Sequence, residues 1–462
     1  MKKGRRYNID EIEVIAKSSI GKTFKDLKEM EMISISDEAL KKGGLGQIVE
    51  MALFGIDSNN DSEPDFMPAG VELKVTPYKK LSHGNKLSAK ERLVLNIIDY
   101  NTEFANEFKS SHFWFKNNKI QLIWYLYEEN KDKLDYIITH EKFLNLALNK
   151  DLKQIEEDYY TIINKIKEGK AHELSEADTM YLGACTKGAN ASALREQPFS
   201  DIKAKQRAFC FKNSYMTQLV RKYIGNYDDV EKILSGTSKS FQEYIKEVAD
   251  RYIGKTQTEL MNMFNIKSKA KNINDLILRK MFNTKSFISK TDEFIKANII
   301  TKTIRVEENG NIIQSMSFPA FKFKEIVNEN WEDSTLRETF ETTKFMFFIF
   351  KHNGNDYVFK GIKLWNMPET IIDSNLKETW EKTVDVLKSG NIVKGFDKRG
   401  RRITNFPGMS DNKVCHVRPH GRNVKDTYDL PVTDKVTGDN KYTKQCFWLN
   451  NSYLKEILKE FI

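Results

Sequence analysis

The feature that most constrains the fold of this chain is an internal repeat. Residues 16–23 (AKSSIGKT) recur as residues 249–256 (ADRYIGKT), and residues 205–215 (KQRAFCFKNSY) recur as residues 444–453 (KQCFWLNNSY). The two echoes keep the same order and almost the same separation, which is typical of a duplicated unit. A chain of 462 residues is also long enough for two or three domains. The repeat therefore predicts two tandem domains of similar size.

The predicted domains cover residues 1–228 and 240–462, with a polar stretch between them. Each half shows the same order of hydrophobic patterns: an amphipathic helix, a strand-like apolar run, a second helix, and a closing strand and helix. This order predicts a mixed α/β class, with a mixed central sheet flanked by helices in each domain. The corresponding segments are helices 9–30 and 244–263, strands 119–126 and 345–350, and helices 155–167 and 376–387.

Composition limits the classes of protein to consider. Hydrophobic residues make up 40% and charged residues 30% of the chain, as in globular proteins. No apolar run is long enough to span a membrane, and the basic start does not lead into an apolar signal sequence. The four cysteines lack metal-ligand spacing and are expected to be reduced thiols in a cytoplasmic protein. The net charge of +9 favours a polyanionic partner.

Residues 63–75 contain two carboxylates and a lysine that can act together. A Pro-Ala-Gly turn precedes a predicted strand, on which Glu72 and Lys74 point to the same face. Asp65 can fold back across the turn to join them. Such a group suits metal-assisted phosphodiester hydrolysis, because carboxylates hold Mg²⁺ and a lysine acts on the water or the phosphate. The alternative is a solvated strand face that arose by chance in a charged chain.

Two further residues favour the catalytic interpretation. Glu50 lies among apolar residues of a predicted helix, where a buried carboxylate needs a metal or a cation as partner. Lys116 lies in the aromatic stretch 111–116. A surface lysine with a buried stem is the alternative at that position.

These motifs resemble the mismatch-repair endonuclease MutH and the related type II restriction endonucleases that cut at GATC. The shared pattern in residues 42–76 is Lys-Gly-x-x-Gly-x-x-x-Glu, then Asp-x6-Glu-x-Lys, followed by Thr76-Pro77. The duplicated layout of such restriction enzymes also matches, so the resemblance covers essentially the whole chain. It implies two tandem MutH-like restriction-endonuclease-fold domains. The similarity continues through residues 86–96, 169–176 and 187–191.

The resemblance implies a role for each position of the catalytic pattern. Asp65 and Glu72 would ligate Mg²⁺, with the carbonyl of Leu73 assisting, and Lys74 would act at the attacking water. The other two catalytic positions are Glu50, which would support the metal site from its helix, and Lys116, which would contact the reacting phosphate.

The resemblance also implies DNA contacts in the first half. Lys42 would contact DNA, and Lys187 and Gly188 lie in the loop that reads GATC from the major groove in this family. MutH has an Arg-Pro pair immediately before that lysine, whereas this chain has Cys185-Thr186. This departure changes the expected base contacts of the first half.

The second half has lost one part of the pattern and kept another. Aligned on the repeat, Ile300 falls where Glu72 stands, and an isoleucine cannot ligate Mg²⁺. The pair Arg418-Pro419 and the following His420 restore the Arg-Pro feature of the recognition loop. Arg418 is expected to reach a guanine edge or a phosphate. The alternative is that Arg418 and His420 are ordinary surface residues.

The resemblance implies a Mg²⁺-dependent type II restriction endonuclease that cuts double-stranded DNA at 5′-GATC and leaves 5′-phosphates. The second half is expected to add DNA affinity or allosteric control. The protein is expected to be a monomer in solution that can dimerise on DNA. Two alternatives stay open: a strand-nicking repair endonuclease, and a catalytically silent GATC-binding regulator.

Overall fold

The computed structural model divides the chain into two compact units. Unit 1 comprises Met1–Glu243 and Ser289–Asn298, and unit 2 comprises Tyr244–Ile288 and Ile299–Ile462. The catalytic domain 1–228 and the degenerate domain 240–462 stay predictions. Within the described residues, no helix has the length and apolar character needed to cross a membrane. The structure describes residues 7–30, 44–56, 62–81, 86–187, 193–225, 230–267, 273–396, 398, 400 and 402–462.

Helices and strands are interspersed along both units, which confirms the predicted mixed α/β class. The helices are α1 Ile9–Ser18, α2 Phe24–Met30, α3 Gly44–Phe54, α4 His112–Asn117, α5 Leu152–Lys167, α6 Asn213–Tyr223, α7 Phe241–Asp250, α8 Gln257–Met263, α9 Ile273–Met281, α10 Asp292–Lys296, α11 Phe323–Ile326, α12 Thr335–Thr342, α13 Glu369–Ile371, α14 Lys377–Ser389 and α15 Asn451–Ile457. The strands are β1 Glu72–Lys80, β2 Leu87–Ala89, β3 Leu93–Ile97, β4 Lys119–Leu126, β5 Ile138–Asn145, β6 Leu182–Thr186, β7 Leu194–Gln197, β8 Ser200–Lys205, β9 Arg207–Phe211, β10 Ile299–Val306, β11 Met316–Phe321, β12 Lys344–His352, β13 Tyr357–Trp365, β14 Gly395–Phe396, β15 Arg402–Ile403, β16 Cys415–Pro419, β17 Thr427–Asp429, β18 Lys441–Thr443 and β19 Gln445–Leu449.

The main sheet of unit 1 has the strand order β2-β1-β4-β5. Strands β1 and β4 are parallel, with Glu72 opposite Ile120, and β2 and β5 are antiparallel to their neighbours. The face that carries Leu73 and Ile123 packs against α1, α2 and α3 in a buried apolar core. Because side chains alternate along a strand, Glu72 and Lys74 lie on the opposite face of the sheet.

The corresponding sheet of unit 2 has the order β10-β12-β13, with β10 parallel to β12. Ile300 lies opposite Phe345, as Glu72 lies opposite Ile120 in unit 1. Ile120 and Phe345 are each the second residue of their strand. Ile300 therefore occupies the register position of Glu72. This agreement supports the alignment drawn from the repeat, whereas the duplication itself stays an interpretation.

The long opening helix predicted for each half is wrong, because a glycine divides it in two. Gly21 has a φ of +87°, and its N–H donates to the carbonyl of Ile138 at 2.8 Å. Gly254 has the same φ, and its N–H donates to the carbonyl of Phe359 at 2.9 Å. A positive φ is open to glycine and strained for other residues. The repeated Ile-Gly-Lys-Thr motif therefore marks a helix break that is joined to a strand.

We expect a buried histidine to make the stability of unit 2 depend on pH. His416 lies on β16, is 1% exposed and donates from Nδ1 to the side-chain oxygen of Asn450. Its Nε2 has no hydrogen-bond partner among the described residues. Burial lowers the pKa of His416 below its ordinary value of about 6.5. The unfolded chain therefore takes up this proton more readily than the folded protein does.

We expect this contribution to stability to be complete above pH 6.5 and to be lost as the pH falls through the folded pKa. Urea unfolding followed by tryptophan fluorescence at pH 7.5 and pH 5.0 measures the effect, and Trp448 stacks on His416 as a local reporter. His416→Gln should flatten the pH dependence, whereas the control His352→Gln should keep it. An unchanged pH dependence in His416→Gln would contradict the expectation.

Candidate active site

A tight turn fixes Asp65 beside the start of β1. The N–H of Phe66 donates to the carbonyl of Val71 at 2.9 Å, and the N–H of Val71 donates back to Phe66 at 3.3 Å. Gly70, inside the turn, has a φ of +64°. This geometry brings the carboxylate of Asp65 to the backbone of Leu73, whose N–H donates to Oδ2 at 2.9 Å. The predicted fold-back of Asp65 is therefore present.

Glu72 and Lys74 form a largely buried ion pair on one face of β1. Glu72 is 3% exposed, and its Oε1 accepts a hydrogen bond from the Lys74 ammonium at 2.7 Å. The ammonium of Lys116 lies 3.8 Å from the same oxygen. One carboxylate oxygen thus has two lysines close to it, and the three predicted side chains come together.

Helix α4 carries Lys116 to this group. Ser111 caps the helix, since its hydroxyl accepts the N–H of Trp114 at 3.0 Å. Phe113 and Asn117 are the buried residues of this helix. The Lys116 side chain is only 14% exposed and faces a buried carboxylate. This position does not fit a surface lysine whose head reaches into solvent.

Glu50 belongs to the same electrostatic group, although it comes from helix α3. Burial, together with the negative charge of Asp65, raises the pKa of Glu50 to about 7. Burial also raises the pKa of Glu72 and outweighs the opposing effect of Lys74. The carboxylates therefore repel one another at neutral pH, and a cation would relieve that repulsion.

The donor set fits a magnesium ion held partly by water and substrate. Among the described residues, no group of three or more His, Cys, Asp or Glu side chains is arranged to hold a metal. Magnesium, however, is usually bound by one or two carboxylates, with waters and phosphate oxygens completing the shell. The buried Oε2 of Glu72 has no hydrogen-bond partner in the described part of the protein. That oxygen and the carboxylate of Asp65 are suitable ligands.

Sequence reasoning missed a histidine that positions this group. The Nε2 of His112 lies 2.6 Å from the carbonyl oxygen of Ser62, which precedes the Asp65 turn. Its Nδ1 lies 3.3 Å from the side-chain nitrogen of Asn96, and Asn96 accepts from Asn117 at 2.8 Å. His112 thus joins the start of α4 to the segment that carries Asp65. The resemblance through residues 86–96 ends at Asn96 and was the available clue.

The predicted recognition residues of unit 1 are only partly described. Lys187 follows β6, is exposed, and its N–H donates to the carbonyl of Gln206 at 2.8 Å. Strand β6 belongs to the sheet β3-β9-β6, so Lys187 and Glu72 are carried by different sheets. Lys42 and Gly188 lie outside the described residues.

In unit 2 the structure brings Arg418 and His420 together on a tryptophan that the sequence analysis did not single out. Arg418 lies at the end of β16, and its guanidinium is 4.8 Å from the centre of the Trp448 ring. The His420 ring is 5.8 Å from the same indole. Both Arg418 and His420 are exposed. Trp448 falls within the repeated KQ segment, which was the only sign of its importance.

Comparison with known proteins agrees with this geometry. The family described as "DNA mismatch repair enzyme MutH" matches residues 54–158, which include Asp65, Glu72, Lys74 and Lys116. The "Type II restriction enzyme Sau3AI" of Staphylococcus aureus is 38% identical over 484 aligned positions, covering 97% of this chain and 97% of that protein. The resemblance drawn from the motifs is confirmed. The chain is a DNA-cutting endonuclease and belongs to the family of MutH-related type II restriction enzymes that includes Sau3AI.

Proposed function

We propose that this enzyme hydrolyses double-stranded DNA at 5′-GATC, requires Mg²⁺ and leaves 5′-phosphate ends. The observation that carries the proposal is the buried Glu72 carboxylate. Its Oε1 lies close to the ammonium groups of Lys74 and Lys116, and its Oε2 has no hydrogen-bond partner among the described residues. Such an arrangement is costly unless a cation and a phosphate complete it. The GATC target is carried over from the family pattern in residues 42–76.

In the proposed mechanism, Asp65 and Glu72 hold Mg²⁺, with the carbonyl of Leu73 assisting. When bound, the cation neutralises charge on the scissile phosphate and lowers the pKa of the attacking water. Lys74 donates a hydrogen bond to that water and orients it. Lys116 neutralises the charge that builds on the phosphate oxygens, as a preorganised donor does. Glu50 supports the metal ligands from α3.

Recognition is proposed to use residues of both halves of the chain. In the first half, Lys42, Lys187 and Gly188 contact the GATC sequence, as the family pattern implies.

A DNA substrate also favours action in the cytoplasm, where the thiols stay reduced, and all four cysteines are free and buried. The protein is proposed to be monomeric in solution and to dimerise on DNA, because cutting both strands needs two catalytic centres.

We expect Asp65→Asn and Lys74→Met each to slow cleavage of a GATC duplex by at least about 100-fold, because each removes charge that acts in the transition state. Asp132→Asn is the matched control. Asp132 also accepts a hydrogen bond from a backbone N–H, that of Leu134 at 2.8 Å, and it is not one of the proposed catalytic residues. Single-turnover cleavage of an end-labelled duplex is the measurement. Chelation by EDTA should stop the wild-type reaction, and added Mg²⁺ should restore it.

The catalytic assignment would be contradicted if either variant cut at the wild-type rate while the control behaved normally. Cleavage that persists in EDTA would contradict the metal requirement. Cleavage at sequences unrelated to GATC would contradict only the proposed specificity. Thermal unfolding of each variant shows whether a lost activity reflects a lost fold.

A second proposal concerns unit 2, which we propose binds DNA without cutting it. Ile300 replaces the metal-binding glutamate, and the ammonium of Lys302 donates to the carbonyl of Ser317 at 3.4 Å. The stacked and exposed guanidinium of Arg418 is suited to a phosphate or a guanine edge. Because each chain is proposed to have one catalytic centre, a strand-nicking activity is the second candidate function. The alternative of a catalytically silent GATC-binding regulator is wrong, since the chain is a DNA-cutting endonuclease.

We expect Arg418→Gln to weaken binding of a GATC duplex by about 5- to 100-fold, measured in Ca²⁺ so that no cleavage occurs. Arg305→Gln is the matched control, because Arg305 is also exposed and stacks on an aromatic ring, that of Tyr357 at 5.2 Å. Fluorescence anisotropy at two salt concentrations gives the affinities. Equal affinity for Arg418→Gln and the wild type would contradict a DNA contact in unit 2.

A further inference from the structure

A second concave site lies in unit 1, apart from the catalytic group. It is a cavity of about 370 Å³ between the end of β5, the loop before α5, the carboxyl-terminal half of α6 and α10. Its walls come from residues 143–145, 148–151, 218–219, 222–223, 230, 232, 292 and 296. None of the five catalytic residues is among these described wall residues. The proposed endonuclease mechanism therefore does not use this cavity.

The wall of the cavity is positively charged. Four lysines and two aspartates line it. The aspartates are already engaged, since the buried Lys296 ammonium lies 2.8 Å from Asp151 and 2.9 Å from Asp292. Lys150 also lies 3.6 Å from Asp292, whereas Lys222 and Lys232 are exposed at the cavity. This arrangement leaves an excess of positive charge for an anionic ligand.

A buried amide gives a second and independent indication of a ligand. Gln218 on α6 is 5% exposed, and its Nε2 has no hydrogen-bond partner among the described residues. Leaving such a donor buried and unpaired costs free energy, so an acceptor is expected close by. Gln218 lines the cavity, and the lysines beside it select for an acceptor that carries negative charge.

We propose that this cavity binds the phosphate monoester of a small, mononucleotide-sized ligand. A phosphate monoester carries a charge of about −1.5 to −2 at neutral pH, which matches the excess of lysines. Its oxygens accept hydrogen bonds from both an amide and ammonium groups. Apolar side chains from Phe143, Leu219 and Tyr223 line the rest of the cavity and suit an organic moiety. Cavities of about 300–1,000 Å³ commonly hold such ligands.

A free mononucleotide and a 5′-phosphorylated DNA end share this chemistry. Isothermal titration of the full chain in EDTA compares 2′-deoxyadenosine 5′-monophosphate with deoxyadenosine. It also compares a 5′-phosphorylated hexanucleotide lacking GATC with its 5′-hydroxyl twin. EDTA prevents metal-dependent cleavage, so the result is separate from the proposed endonuclease activity.

We expect each phosphorylated ligand to bind at least about tenfold more tightly than its unphosphorylated twin, because the phosphate makes charge-assisted contacts. Lys222→Gln and Gln218→Met should each weaken that binding by about tenfold. Lys131→Gln is the matched control, since Lys131 pairs with Glu128 outside the cavity, and it should bind as the wild type does. Tighter binding of the hexanucleotide assigns the site to DNA ends, and tighter binding of the nucleotide assigns it to free nucleotides.

Absence of binding by every phosphorylated ligand would overturn the proposal, as would equal affinity for the phosphorylated and unphosphorylated twins. Binding that is unchanged in both variants would also overturn it. Because Lys222 is exposed, Lys222→Gln keeps the test decisive even if replacement of the buried Gln218 disturbs the fold.

Discussion

The buried ion pair between Glu72 and Lys74 is the interaction on which the rest of unit 1 depends. Removing one partner of such a pair lowers the free energy of unfolding by about 3–5 kcal/mol, because the other charge is left buried and uncompensated in the protein interior. Here the pair begins the central strand β1, which the parallel strand β4 and the apolar core behind Leu73 hold in place. The Asp65 turn and helix α4 bring the other charged groups to it. The fold thus maintains a charged group that a structural role alone would not require.

Unit 2 has a corresponding parallel strand pair, which lacks the glutamate. In β10, Ile300 takes the register position of Glu72, and the first seven residues of β12 are all buried and include four phenylalanines. An apolar residue at this position removes both the proposed metal-binding carboxylate and the electrostatic repulsion between that carboxylate and its neighbours. Unit 2 instead presents the exposed Arg418, which stacks on Trp448. The comparison of registers therefore explains why one half is proposed to cut and the other only to bind.

Much of the site could be predicted because it lies close together in sequence. The strand over 119–126 and the alternation of Glu72 and Lys74 follow from local pattern, and the structure has both. The link from His112 to Ser62 and the stacking of Arg418 on Trp448 join residues about 30 to 50 positions apart, and only the tertiary fold brings them together. The helix break at Gly21 was missed because periodicity continues across a positive-φ glycine.

The most direct test of this account exchanges the two register-equivalent residues for the same amide. Single-turnover cleavage of a GATC duplex, labelled differently on its two strands, is measured for Glu72→Gln and for Ile300→Gln. The account predicts that Glu72→Gln loses cleavage of both strands, because each chain has one catalytic centre. Ile300→Gln should cut both strands at nearly the wild-type rate. Cleavage of either strand by Glu72→Gln would contradict the account.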